Sequence, residues 1–74
     1  MTDADRTWYL AMAKRHRKLA GIEGELACGL GLQGAHAQAA HHQAEADRHA
    51  QNALTLESLA DARLPAEWRE GAGA

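Results

Sequence analysis

The sequence contains one cysteine, Cys28, one proline, Pro65, no phenylalanine, and only 4% aromatic residues. A single cysteine excludes an intrachain disulfide, and a lone thiol suits a reducing compartment. Valine is absent and Ile22 is the sole isoleucine, so the β-branched residues that fill sheets are missing. These absences exclude a disulfide-stapled or β-rich fold and favour an all-α one.

The chain also lacks a strong charge imbalance and a long apolar run. Its net charge of −2 is too small to attract nucleic acid or a membrane in bulk. No apolar run approaches the ~18 residues of a membrane helix, and residues 1–10 do not resemble a signal peptide. We expect a soluble cytoplasmic protein. The bias toward Ala, Gly and Arg suggests a GC-rich bacterial or bacteriophage genome.

Abundant Ala, Leu, Glu, Gln and Arg favour helix, and a first helix is predicted over about 3–31. Thr2 and Asp5 have the spacing of a capping box. The apolar pattern keeps its phase through Gly21 and Gly24, which favours one continuous helix, although two glycines leave a break as the alternative. Apolar residues at three-, four- and seven-residue steps form one stripe on this helix and are predicted as its core or dimer seam: Trp8, Met12, Leu19, Ile22, Leu26 and Leu30.

A second helix is predicted over about 35–64, because Pro65 disfavours helix at the residue before it. Four alanines in it lie seven residues apart, with larger residues at the complementary seam positions. A line of alanines lets two helix backbones approach closely but contributes little apolar area. The predicted seam of this helix consists of Ala39, His42, Ala46, His49, Ala53, Leu56 and Ala60.

Two helices of similar length around a connection at about 31–34 predict an antiparallel αα-hairpin, a single domain over 1–70. Residues 65–70 are expected to form a short turn, and 71–74 a disordered tail. A lone hairpin leaves several apolar residues partly exposed, so we expect a homodimer that forms a four-helix bundle. Those residues are Tyr9, Leu10, Leu54 and Leu59.

Gly29, Gly31 and Gly34 spell G-x-G-x-x-G, the spacing that cradles phosphates in dinucleotide-binding proteins. That motif requires a preceding strand and a surrounding βαβ unit, and this sequence predicts neither. The glycines are therefore interpreted as the end of the first helix and the turn that follows it.

Histidines are the sharpest chemical feature of the second helix. His42, Glu45 and His49 share a helical face, and imidazole with carboxylate suits Zn²⁺ or another transition metal. Their spacing matches no dedicated metal motif, so we favour His42 and His49 as seam residues that hydrogen-bond across the bundle or hold a water. If these histidines are buried and neutral, acid must charge them, and this would loosen the bundle near pH 6.

The only basic run is KRHRK, residues 14–18. The favoured interpretation is a solvated helix face. The alternative is a nucleic-acid-binding dimer whose basic side chains contact phosphates. The residues concerned are Lys14, Arg15, Arg17 and Lys18.

No catalytic constellation is recognisable, since Ser58 has no histidine at helical spacing and Cys28 has no nearby base in sequence. We therefore expect a non-enzymatic protein without a cofactor, a small regulator or inhibitor that binds another protein and itself. Exposed aromatic and leucine side chains are the candidates for that contact, because such residues dominate binding hot spots. They are Tyr9, Leu10, Leu59 and Trp68.

Overall fold

The computed structural model describes residues 2–62, which form two helices, α1 (Asp3–Leu32) and α2 (His36–Ala62), and no strand. His16 of α1 contacts His49 of α2, and the later residue Glu23 contacts the earlier residue His42. The two helices are therefore antiparallel. The predicted all-α hairpin is confirmed. The predicted turn at 65–70, which includes Trp68, and the tail at 71–74 lie outside the described residues.

A capping box begins α1, as the sequence predicts. The Thr2 hydroxyl accepts a hydrogen bond from the Asp5 N–H at 3.1 Å, and the Asp5 carboxylate accepts one from the Thr2 N–H at 2.9 Å. Both bonds satisfy N–H groups that a helix start otherwise leaves unpaired. From there α1 continues through Gly21 and Gly24 without a break.

The chain reverses at a Schellman motif around Gly34, whose φ of 83° lies in the left-handed region. The Ala35 N–H donates to the Leu30 carbonyl at 2.9 Å, and the Gly34 N–H donates to the Gly31 carbonyl at 3.1 Å. This pair of bonds defines the motif and favours glycine at the left-handed position. Gly29 and Gly31 lie within α1, so the phosphate-loop spacing is part of a helix end.

Alanines form the seam between the helices. Of the described residues, the buried hydrophobic ones are all alanine, and no large side chain is fully buried. In α2 the seam follows the predicted positions, each of which is buried or half-buried. The buried residues are Ala13, Ala27, Ala46, Ala53 and Ala60.

The seam of α1 differs from the predicted one. Ala13, Ala20 and Ala27, seven residues apart, face the alanine line of α2, whereas Trp8, Ile22 and Leu26 of the predicted stripe remain exposed. Trp8 is 57% exposed and Ile22 and Leu26 are each 46% exposed, so these three side chains do not fill the core seam of the single chain. Their place in a dimer seam stays a prediction. Met12, Leu19 and Leu30 are half-buried. Small residues face small residues because only they allow the two backbones to approach closely.

Candidate functional site

An apolar stripe on α1 lies beside the alanine seam. We define the α1 stripe as Trp8, Met12, Leu19, Ile22, Leu26 and Leu30. Most of its members come one residue before a seam position, so the stripe is turned about 100° from the seam around the helix. Trp8, Ile22 and Leu26 in the stripe are exposed, whereas Met12, Leu19 and Leu30 are half-buried.

A groove of about 370 Å³ opens at the C-terminal end of the α1 stripe. Ile22 and Leu26 provide its apolar wall, and Glu25 and Gln33 provide polar groups at its edge. The groove lacks a side chain at Gly29, where an added Cβ would meet nothing within 4 Å. Its full lining is Ile22, Glu25, Leu26, Gly29, Leu30 and Gln33.

The three predicted protein-binding residues that the structure describes do not form one patch. The Tyr9 ring packs edge-on against Trp8, with the ring centroids 5.4 Å apart, and Tyr9 is half-buried. Leu10 and Leu59 are both exposed. Leu10 follows the seam position Tyr9 and Leu59 precedes Ala60, which places the two leucines on opposite sides of the antiparallel hairpin.

Two pairs of polar side chains cross the alanine seam. The Nδ1 atoms of His16 and His49 are 2.9 Å apart, and Nδ1 of His42 lies 2.5 Å from Oε2 of Glu23. In the first pair one imidazole donates its N–H and the other accepts. Both predicted seam histidines of α2 therefore bond to α1, as the favoured interpretation expected.

His16 and Glu23 were not recognised as seam residues from the sequence. The signal for them was present, because they lie between Ala13, Ala20 and Ala27, which repeat every seven residues like the alanines of α2. The larger apolar side chains of the α1 stripe obscured this repeat. Matching the alanine spacing of the two helices identifies the intrachain seam more reliably than matching hydrophobicity.

The proposed metal ligands are each engaged elsewhere. His42 bonds to Glu23, His49 bonds to His16, and Oε1 of Glu45 lies 3.2 Å from a guanidinium nitrogen of Arg48. Within residues 2–62, no three His, Cys, Asp or Glu side chains converge on a point that could hold a metal ion. The described geometry therefore gives the metal-binding alternative no support.

The side chains of the basic run, residues 14–18, do not all face solvent together. Arg17 forms an ion pair with Glu57 across the helices, and His16 turns into the seam. Lys14, Arg15 and Lys18 are exposed. The run therefore lacks the uninterrupted positive surface expected of a phosphate-binding face.

Neither described helix combines the length and hydrophobicity that crossing a bilayer requires. No family model, curated protein or solved structure matches this chain. The α1 stripe is therefore the main structural clue to function.

Proposed function

We propose that the chain is a small non-enzymatic interaction protein whose α1 stripe docks a helix of another polypeptide. The observation that carries this proposal is the uncovered apolar stripe beside a seam built from alanine. Trp8 is 57% exposed, and Ile22 and Leu26 are each 46% exposed, although they recur at helix-pairing intervals. Side chains of this size at this spacing supply the apolar area that helix association requires.

Self-association follows from the composition of the seam. A methyl group is all that Ala53 or Ala60 buries between the helices, so the intrachain contact removes little apolar surface from water. Domains of this size usually need reinforcement beyond their own core. We infer that two hairpins pair through their α1 stripes as a homodimer and form a four-helix bundle.

A dimer joined through the α1 stripe leaves Leu10 and Leu54 exposed, because each follows a seam position on the other side of the hairpin. We assign this second side to an unidentified target protein, which makes the dimer a regulator or inhibitor that acts by occupying a partner's surface. Its proposed setting is the cytoplasm, and its proposed source is a bacteriophage or other mobile element, on the compositional grounds given above.

The test of the α1 stripe is sedimentation equilibrium of the wild type and of Ile22→Glu. A charge at the centre of an apolar contact is costly to bury, so the variant is expected to be monomeric while the wild type is dimeric. Ala37→Glu is the matched control, because Ala37 is exposed on α2, and it should leave the dimer intact. A monomeric wild type, or an Ile22→Glu variant that dimerises like the control, would contradict the proposal.

The target-binding side is tested by cross-linking the tagged protein in cells of its source organism. A specific partner should be lost in Leu54→Glu and kept in Gln51→Glu, since both residues are exposed on α2 but only the first is apolar. Equal loss or equal retention in the two variants would remove Leu54 from the proposed contact.

A further inference from the structure

Two oppositely charged residues border the α1 stripe on the edge away from α2. Lys18 lies midway between the seam residues His16 and Ala20, about 160° around the helix from each. Glu25 lies midway between Glu23 and Ala27 in the same way. Both side chains are exposed, and Glu25 also lines the groove.

These two residues occupy equivalent places in the repeat. With Leu19 and Leu26 at heptad position a and Ile22 at position d, Lys18 and Glu25 both fall at position g. Charges that flank an apolar seam set the orientation and the register of paired helices. One positive and one negative charge, one heptad apart on the same edge, can select between those arrangements.

We propose that the α1 stripe receives the α1 stripe of a second copy of this chain in antiparallel orientation, about a two-fold axis near Gly21. This inference rests on the proposed self-association and adds the orientation and register of the second copy. Antiparallel helices bring g positions against g positions, so Leu19 lies against Ile22 of the second copy. Lys18 then lies against Glu25 of the second copy, and the symmetry repeats the pair.

Charge excludes the neighbouring antiparallel registers. Sliding one helix by a heptad in one direction places Lys18 against Lys18 of the second copy, and sliding it the other way places Glu25 against Glu25. Like charges held this close oppose association. The selected register also aligns Met12 with the Gly29 and Leu30 region of the second copy, and it sets Leu26 against the exposed Arg15.

A parallel arrangement is less favourable for a different reason. It would place Lys18 against Glu23 of the second copy, and the Glu23 carboxylate already accepts a hydrogen bond from His42 in the seam.

Charge reversal tests the register. At low ionic strength, Lys18→Glu and Glu25→Lys are each expected to raise the dimer Kd about tenfold, because each converts two attractions into two repulsions. The double variant Lys18→Glu/Glu25→Lys should return to the wild-type Kd. An equimolar mixture of the two single variants should form heterodimers, since every facing pair is then attractive.

The matched controls carry the same charge changes at a site outside the pairing. Lys14→Glu should leave the Kd unchanged, and Lys14→Glu/Glu25→Lys, which keeps the wild-type net charge, should be as weak as Glu25→Lys alone. Circular dichroism checks that all variants remain helical.

The outcomes separate this inference from the proposed function. Recovery in the double variant and in the mixture supports the antiparallel register. A wild-type dimer in which single reversals have no effect, or in which the double variant stays weak, overturns the register but leaves the stripe as the interface. A wild type that stays monomeric overturns self-association itself.

Discussion

The two helices of this hairpin have similar lengths, but α2 has one apolar face and α1 has two. Helix α2 carries one seam, a line of alanines at positions such as Ala46 and Ala53, and is otherwise mostly polar. Helix α1 carries a matching line that includes Ala13 and Ala27, and beside it the larger α1 stripe. The helix with two faces is the one whose second face is left without an intrachain partner.

This difference shows that side-chain size decides which face of α1 meets α2. Alanine faces alanine inside the hairpin, where close backbone approach and dispersion contacts compensate for the small area buried. Residues such as Ile22 and Leu26 would hold the backbones apart in that seam. Outside it they are available for the proposed association with another chain.

The largest expected effect is overpacking of the alanine seam. Ala53→Leu adds three carbons at a position that is 0% exposed, so it should lower the free energy of unfolding by about 1–3 kcal/mol. The measurement is thermal or urea unfolding followed by circular dichroism at fixed protein concentration. Ala37→Leu, the same change at an exposed α2 position, should shift stability by no more than about 0.5 kcal/mol. Equal effects at the two positions would mean that the alanine line is not the seam.

Glycines on the two sides of the end of α1 should respond in opposite directions to alanine. Gly34→Ala places a Cβ on a left-handed backbone and should cost about 1–2 kcal/mol in unfolding free energy. Gly29→Ala lies inside the helix, where the added Cβ meets nothing within 4 Å, and in the Ile22→Glu background, which removes the proposed dimer, it should stabilise by about 0.5–1 kcal/mol. Chemical denaturation of both variants checks the signs. Destabilisation of similar size at both positions would argue against the described end of α1.

A smaller effect is expected from removing the hydrogen bond of the His16–His49 pair. The two Nδ1 atoms lie 2.9 Å apart across the alanine seam, so one imidazole donates to the other. His16→Ala removes one partner and should lower the free energy of unfolding by about 1 kcal/mol, as measured by urea unfolding. His36→Ala, the same change at an exposed position, should change it by no more than about 0.5 kcal/mol. Equal losses in the two variants would show that the pair does not stabilise the seam.

The sequence predicted the helical hairpin, the capping box at Thr2 and the alanine seam of α2, because each depends on local chemistry or a strict repeat. It did not predict which face of α1 meets α2. Hydrophobicity pointed to the face with Trp8, whereas backbone approach selects the face with Ala13. His16 was missed for the same reason, since its position has meaning only once the alanine repeat is recognised as the seam.

The most direct test of which α1 face meets α2 is a nuclear Overhauser experiment on the Ile22→Glu variant, which is expected to be monomeric. The ring centroids of His16 and His49 are 5.1 Å apart, so cross-peaks between the two imidazoles are expected, with none from Trp8 or Leu26 to α2 seam residues. Cross-peaks from Trp8 and Leu26 to the alanines of α2, with none between the two imidazoles, would contradict it.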